Sequence, residues 1–248
     1  MSCLINSYLA ILVRVIGIFV AFSILMTWLI ALTLALTQVQ ISGVYGILHH
    51  AWLFLFIQLL YVGLFITVHD ACHGSVSPRH PLINLWIGRV FAFLYAGLNF
   101  DTLQKKHAQH HQHSGTYLDP DFHEKDQDSF IFWLFKFLKQ YVNLRQILIM
   151  CGFAQILIHG FNLAEINVFT FWVAPSLLSS LQLFYFGTYL PHRKFKNTFF
   201  VDRHHTRNFA IPFMASLVSC YHFGAFHHRH HSAPGVPWFR LSKNKSDG

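Results

Sequence analysis

The sequence predicts an all-α integral membrane protein with four transmembrane helices and further helices at the membrane interface. Three observations support this fold class. The 248 residues are 54% hydrophobic and only 11% charged, whereas a soluble domain has about 25% charged residues. The apolar residues are concentrated in runs of roughly 20, which is long enough to cross a bilayer. Basic residues are missing from two of the connecting loops, an asymmetry typical of membrane proteins.

Four apolar runs are predicted to span the bilayer. They are Val15–Leu36, Ala51–Val68, about Ile147–Phe161 and Val168–Leu190. The first run is longer than a signal-peptide core and no small-residue cleavage site follows it, so we interpret it as a retained span. Pro175 should kink the fourth span, which neighbouring helices can tolerate.

Two other apolar stretches are predicted to lie at the interface. Leu82–Phe100 carries Arg89 near its middle, and a charge at the bilayer centre is costly, so we expect an interfacial or re-entrant helix. Phe130–Gln140 has lysines among its aromatic residues, which is typical of an amphipathic helix in the membrane surface. The polar segment between them, Asp101–Asp128, is predicted to lie outside the bilayer.

The distribution of basic residues predicts the orientation. With four spans, the loops 37–50 and 162–167 share one face, and neither contains Lys or Arg. The basic segments are therefore predicted to be cytoplasmic. This asymmetry also accounts for the net charge of +8, so no nucleic-acid partner is expected; the tail "RLSKNKSDG" is too slight for an array of phosphate contacts. We find no repeats and predict one domain over 1–248, with a flexible tail at about 242–248.

Three histidine motifs show metal-ligand spacing. They are HxxxH at His69 and His73, HxxHH at His107, His110 and His111, and HxxHH at His227, His230 and His231. Residues three and four apart lie on one face of a helix, so each motif is predicted to aim its imidazoles at one point. With 19 histidines in 248 residues, chance predicts about 0.1 HxxHH matches, whereas the chain has two.

This number of imidazoles predicts two metal ions. A structural zinc is satisfied by four ligands, so eight imidazoles suit two ions with positions left open. Iron, copper, zinc and nickel all accept imidazole, and ligand type alone does not choose among them. Two redox-active irons able to activate O₂ are the simplest interpretation. Because bound imidazoles must be neutral, acid should release the metal.

Five more residues are candidates for the site. His192 follows the fourth span and His222 precedes the last motif, and we interpret both as further ligands; the alternative is a hydrogen-bond donor or a helix-end histidine. Asp70, Asp119 and Asp121 are candidates for orienting ligand imidazoles through hydrogen bonds. The alternative for these three is a solvated loop carboxylate.

The histidine motifs on a four-span scaffold resemble the membrane fatty-acid desaturase and hydroxylase superfamily. The closer resemblance is to the bacterial β-carotene ketolases. It is carried by "HDACHGSVSP", "KKHAQHHQHSGTYLDPDFH", "FGTYLPHR" and "CYHFGAFHHRHHSAPGVPW", and it extends from about Tyr61 to Leu241. The sequence departs from the family at Arg229, where an acidic residue is common.

The resemblance implies a di-iron oxygenase that converts the C4 methylene of the β-ionone ring of β-carotene into a ketone. It implies two Fe²⁺ ions, O₂ as co-substrate, no catalytic residue beyond the metal ligands, and a site on the cytoplasmic face of a bacterial inner or cyanobacterial membrane. The sequence has no flavin, haem or NAD motif, so an external electron donor such as reduced ferredoxin is expected. Phe91, Phe93, Tyr95 and Phe226 are candidates for the substrate route, although ordinary packing explains any one of them.

Other functions stay open at this point. A carotenoid hydroxylase or an acyl-lipid desaturase belongs to the same superfamily, but "FGTYLPHR" argues against both. A metal-binding membrane transporter is an alternative of a different class. Transporters usually hold their ligands near the bilayer midplane in broken spans, whereas these motifs are predicted at one face.

Overall fold

A computed structural model describes residues 2–123, 129–195 and 199–242 of the chain. Within these ranges the chain forms helices, turns and loops, and no β-strand occurs among them, as the all-α prediction requires. The tail predicted at 242–248 lies outside the described residues after Ser242, as does the end of the polar segment at 124–128.

The helices of the described ranges follow one another along the chain, and the longest connections are 114–129 and 193–212. In order they are α1 (Ser2–Thr37), α2 (Gly43–His49), α3 (Ala51–Cys72), α4 (Pro81–Ala96), α5 (Phe100–His113), α6 (Phe130–Tyr141), α7 (Leu144–Gln155), α8 (Glu165–Val168), α9 (Ala174–Phe184), α10 (Leu190–His192), α11 (Phe213–Val218), α12 (His227–Ser232) and α13 (Trp238–Leu241). Three π-helical turns extend or join them, at Ile156–Gly160, Phe169–Val173 and Tyr185–Tyr189.

Three segments are long and apolar enough to cross a membrane. They are Val15–Thr37 within α1, Ala51–Cys72, which is α3, and Glu165–His192, which runs from α8 to α10. Each contains the whole of one predicted span. The molecule therefore has the apolar helices of a membrane protein.

Two bent helix pairs add to these three segments. The third predicted span corresponds to Leu144–Gly160, which qualifies only together with α6, from which it is bent by 83°. The pair formed by α4 and α5 is bent by 101°. By length and composition the described chain thus has three candidate spans, or up to five if each bent pair is one span.

The bend between α4 and α5 is encoded locally. Pro81 lies in the first turn of α4, where its missing N–H costs nothing. Gly97 follows the helix with a φ of 65°, a left-handed conformation that glycine adopts without a Cβ clash. Asn99 then caps α5, because its side-chain oxygen accepts a hydrogen bond of 2.8 Å from the backbone N–H of Thr102. The bend brings the histidines of α5 beside the end of α3.

Helix α3 lies at the centre of the core. It is the most buried of the three apolar segments, and it packs against α1, α4 and α9. Its second half is buried on every side, which suits a helix that is apolar all round. His69 lies in its last turn and His73 directly follows it. The first histidine motif is therefore fixed to the most constrained helix of the fold.

The segment Glu165–His192 is interrupted by π-helical turns. One of them, Phe169–Val173, lies just before Pro175, where the sequence predicts a kink. A proline ring removes a backbone donor and widens the helix, so a π turn at this point has a local cause. The second, Tyr185–Tyr189, precedes His192, and such turns are frequent at functional sites.

A strained turn connects α11 to the last histidine motif. Cys220, Tyr221 and His222 all have positive φ, at 60°, 52° and 74°, which is uncommon for residues with a Cβ. The Tyr221 side chain packs against α3 at Gly63, and its hydroxyl donates to the backbone oxygen of Leu59 at 3.2 Å. This contact ties the turn, and the helix α12 that follows it, to the centre of the fold.

Candidate metal centre

Five histidines form the first histidine group, in which one ring nitrogen of each residue lies within 4.8 Å of the others. They are His69, His73, His107, His111 and His230. Two come from the end of α3, two from α5 and one from α12. The Nε2 atoms of His73 and His107 are 2.8 Å apart, and those of His111 and His230 are 3.0 Å apart. Three separate parts of the chain thus direct imidazole nitrogens to one point.

Four buried histidines form the second histidine group, by the same distance criterion. They are His110, His192, His227 and His231. The Nε2 atoms of His192 and His227 are 2.9 Å apart. The group joins α5, the end of the segment Glu165–His192, and α12. It lies against the first group, since the rings of His111 and His231 stack at a centroid distance of 4.1 Å.

Each HxxHH motif is divided between the two groups, although the sequence predicts that each aims at one point. His107 and His111 point to the first group and His110 to the second. In the last motif His227 belongs with His231 in the second group, and His230 belongs to the first. The reason is helical rotation: residues four apart differ by about 40° around the axis, whereas adjacent residues differ by about 100°. One motif therefore supplies both groups.

Nine of the ten histidines singled out in the sequence lie in these two groups, and His222 does not. The Nδ1 atom of His222 is 2.7 Å from the hydroxyl oxygen of Ser216, and its ring packs against Phe213. His113 and His228, which neighbour the motifs, also lie outside both groups. His228 instead pairs with the carboxylate of Asp202 at 3.0 Å.

Asp119 holds His110 in a fixed orientation. The Nδ1 of His110 lies 2.9 and 3.0 Å from the two carboxylate oxygens of Asp119. Those oxygens also accept the backbone N–H groups of Gly115 and Asp121, each at 2.9 Å. A carboxylate that accepts from Nδ1–H leaves Nε2 free as a ligand, which is the usual arrangement behind metal-bound histidines. Asp119 thus lies where a carboxylate that orients a ligand imidazole would lie, and its role there stays a prediction.

His192 is oriented by groups that no sequence pattern indicates. Its Nδ1 donates to the backbone oxygen of His205 at 2.9 Å and lies 3.3 Å from the hydroxyl of Ser114. Ser114 in turn donates to the backbone oxygen of His204. These contacts direct Nε2 of His192 toward His227. Neither a backbone oxygen nor a lone serine carries a spacing signal that sequence reasoning could use.

The other two candidate carboxylates lie at the edge of the site. Asp70 accepts the backbone N–H of Trp238 at 3.1 Å, and its other oxygen is 3.7 Å from Nδ1 of His69, beyond hydrogen-bond range. Asp121 is 3.9 Å from Nδ1 of His110 and accepts the hydroxyl of Tyr141. Burial raises the pKa of Asp121 to about 6. Both acids are buried, rather than solvated loop residues.

The residues present fit metal ions. Two imidazole nitrogens bound at right angles to one ion, with bonds of about 2.1 Å, are about 3.0 Å apart, close to the Nε2 separations in both groups. Burial, followed by the neighbouring imidazoles, lowers the pKa of His230 and His231 well below its ordinary value, so both rings are neutral, as ligands must be. His231 is buried with neither ring nitrogen hydrogen-bonded. Buried polar atoms are rarely left without partners, and a cation would satisfy these.

An apolar cavity meets both histidine groups. It encloses about 1030 Å³ between atoms, its open mouth included, and both groups contribute to its wall through His69, His107, His110 and His227. The rest of the wall is largely apolar and comes from α3 to α7, the segment Glu165–His192 and the strained turn. Of the aromatic residues expected along a substrate route, Tyr95 lines this cavity, whereas Phe91 is packed in the core and Phe93 packs against Phe153.

Residues 48–165 match the family model for fatty acid desaturases. The matched segment contains α3 and α5, and with them the first two histidine motifs. Apolar helices that carry buried histidine groups are in keeping with this class of membrane protein.

Relatives of known activity extend this match over most of the chain. A β-carotene ketolase of Paracoccus sp. (strain N81106 / MBIC 01143) is 41% identical over 196 residues, which cover 79% of this chain and 78% of that protein. Another from Paracoccus sp. (strain PC1) is 38% identical over 229 residues, 91% of this chain and 90% of that protein. A zeaxanthin 4-ketolase of Chlamydomonas reinhardtii is 33% identical over 238 residues, 95% of this chain and 52% of that protein. The chain belongs to the β-carotene ketolase family, which confirms the resemblance found in its sequence.

Proposed function

We propose that this protein is a β-carotene ketolase of carotenoid biosynthesis, which oxidises the C4 methylene of a β-ionone ring to a ketone. One observation carries the proposal: in a chain of this family, an apolar cavity ends on two adjoining groups of buried histidines. A hydrocarbon ring needs such a cavity, because it offers no polar group to bind. An unactivated C–H bond needs a redox centre, because acid–base chemistry cannot break it.

The redox centre is proposed to be two iron ions, one in each histidine group. The first would be held by His69, His73, His107, His111 and His230, and the second by His110, His192, His227 and His231. His222 is not part of this assignment, since it lies outside both groups. When bound, the irons would supply the activation of O₂. Asp119 and the backbone oxygen of His205 would keep the imidazoles in their ligand orientation.

The proposed reaction takes place in two oxidations at one carbon. In the first, the CH₂ group, O₂, two electrons and two protons give CHOH and one water. In the second, the CHOH group with the same co-reactants gives a gem-diol and a second water. The gem-diol loses a further water to become the ketone. The apolar wall of the cavity would hold the ring and exclude bulk water while His69, His107 and His110 face the reacting carbon.

The membrane arrangement we propose is one domain with four spans and the site on the cytoplasmic face. Two features support it. The loops 37–50 and 162–167 lack Lys and Arg, as expected for the opposite face. The first histidine motif lies at the C-terminal end of α3, whereas the loop 37–50 precedes the N-terminal end of α3 at Ala51. The substrate would then enter the cavity from the bilayer.

An external electron-transfer protein such as reduced ferredoxin is proposed as the donor. A basic surface next to the second histidine group supports an acidic partner of this kind. The His204 ring lies 6.0 Å from that of His231, and the positions next to these motifs include the exposed Arg203 and the half-buried Arg229. Complementary charge favours fast association with an acidic protein.

The proposal is tested by expressing the chain in a bacterium that accumulates β-carotene and separating the pigments. Echinenone and canthaxanthin are expected. Unchanged pigment, with the protein present in the membrane and loaded with iron, would refute the ketolase activity. Ring-hydroxylated pigment without ketone would instead indicate a hydroxylase, and altered acyl-chain unsaturation would indicate a desaturase. Metal accumulation in the cell without pigment change would indicate a transporter.

A further inference from the structure

Among the residues that line the cavity, Gln146 has a side-chain oxygen that the described residues leave without a hydrogen-bond partner. The side-chain amide of Gln146, near the start of α7, is 8% exposed and lines the cavity. Its Nε2 donates to the backbone oxygen of Ala96, the last residue of α4, at 2.7 Å. That contact determines which end of the amide is the nitrogen, because an oxygen in the place of Nε2 would face the Ala96 oxygen, another acceptor. Oε1 is consequently buried with no hydrogen-bond partner.

Of the four hydroxyl groups elsewhere in the cavity wall, those of Tyr95, Tyr141 and Ser180 already have acceptors. Tyr141 donates to the carboxylate of Asp121. Tyr95 contacts the hydroxyls of Ser179 and Ser180 at 3.0 and 2.8 Å. Both of those serines donate to the backbone oxygen of Ser176, so the proton shared with Tyr95 comes from the tyrosine. The Thr188 hydroxyl does not bond to Gln146 either, so no hydroxyl of the wall donates to Oε1, and a buried carbonyl left this way is unfavourable.

We propose that Oε1 of Gln146 accepts a hydrogen bond from a hydroxyl group on the ionone ring bound in this cavity. The inference rests on the proposed function and adds a preference for hydroxylated rings over hydrocarbon rings. A plain β-ionone ring has no donor and leaves the acceptor buried and unpaired. A site that hydrogen-bonds a substrate hydroxyl discriminates against the analogue that lacks it.

The hydroxyl could belong to either of two rings. One is a substrate already hydroxylated at C3, as in zeaxanthin. The other is the half-oxidised ring, which carries a hydroxyl at C4 after the first oxidation and must stay bound for the second. The chemistry of recognition is the same, but the two sources predict different products when Gln146 is changed.

The first experiment uses the unchanged protein, expressed in bacteria that accumulate β-cryptoxanthin, a carotenoid with one plain ring and one 3-hydroxylated ring. If Gln146 binds the C3 hydroxyl, the first ketone should form on the hydroxylated ring about tenfold more often than on the plain ring. This ratio is the effect expected of one hydrogen bond. Equal oxidation of the two rings, or preference for the plain ring, rules out the C3 source.

The second experiment compares Gln146→Met, which removes the amide at similar length, with Asn143→Ala. Asn143 is exposed, and its side chain accepts the backbone N–H of Gln146 at 3.0 Å, so its loss loosens the same helix start but leaves Oε1 in place. With β-carotene as substrate, Gln146→Met should raise the ratio of 4-hydroxy pigment to ketone several-fold if the C4 hydroxyl is the source. With β-cryptoxanthin it should abolish the ring preference if the C3 hydroxyl is the source. Asn143→Ala should change neither ratio.

A third variant separates recognition from folding. In Gln146→Glu a buried carboxylic acid stays neutral, so its O–H can donate to Ala96 while its carbonyl oxygen accepts the ring hydroxyl. It should keep the unchanged protein's ratios even if Gln146→Met fails to accumulate. The inference is overturned if iron-loaded Gln146→Met shows both the ring preference of the unchanged protein and its ratio of 4-hydroxy pigment to ketone. Absence of ketone from every carotenoid would refute the proposed function instead.

Discussion

Replacing Asp119 with Asn should weaken metal binding at the second histidine group. Both oxygens of the Asp119 carboxylate lie within 3.0 Å of Nδ1 of His110, and each also accepts a backbone N–H, from Gly115 or from Asp121. An amide has only one oxygen. Whichever way it is turned, its NH₂ group faces a backbone donor, so the substitution both removes the negative charge and leaves an N–H unpaired.

The size of the effect follows from these contacts. A hydrogen bond to a charged group contributes about 1.5–3 kcal/mol, which corresponds to roughly 10- to 100-fold, the usual range when a partner of a metal-bound histidine is lost. We expect a loss of this order in iron affinity, measured as iron per chain at limiting iron, with a parallel fall in ketone formation. The matched control is Asp101→Asn, on the helix that carries His110, because Asp101 is half-exposed and pairs with exposed Arg89 at 2.9 Å. If Asp119→Asn and Asp101→Asn retain iron equally, the orienting role of Asp119 is wrong.

Three further substitutions test other parts of the site. His107→Ala should abolish ketone formation and lower iron content, whereas His113→Ala, outside both groups, should leave both within twofold; equal losses would remove His107 from the ligand set. Gly63→Ala should lower thermal stability and iron content together, because the new Cβ would lie 2.6 Å from the hydroxyl oxygen of Tyr221; an unchanged melting temperature would show that α3 and the strained turn can separate freely. Arg229→Glu should raise iron occupancy at limiting iron, since it replaces a half-buried positive charge beside three ligands with a negative one; unchanged occupancy would show that this charge does not reach the metals.

Much of the site could be predicted from the sequence, because helical spacing is a local property. His69 and His73 share a helix end, and the two HxxHH motifs each lie on one helix, so all eight histidines of the three motifs lie in the two groups. His192 was within reach of the same reasoning, since it follows an apolar span. His222 was not excluded by spacing, because its place outside both groups depends on three successive left-handed residues that no motif indicates.

The remaining features depend on contacts between distant parts of the chain. The division of each HxxHH motif requires a second group on the other side of the helix, which the motif alone does not reveal. In the sequence, Gln146 belongs to no motif and looks like any other polar residue of an apolar helix. Its partner Ala96 is 50 residues away, and they meet only because of the bends that follow α4 and α6. Orientation by backbone oxygens, as at His192, likewise leaves no trace in residue types.

The central claim is that the two histidine groups hold two irons at the end of one substrate cavity. Its most direct test is the iron content of the purified, active full-length protein, determined by elemental analysis against protein concentration, together with that of His73→Ala and His231→Ala. The account predicts two irons per chain in the unchanged protein and a loss from each variant, with His73→Ala affecting the first group and His231→Ala the second. Full ketone formation by a protein that binds a single iron, or none, would contradict it.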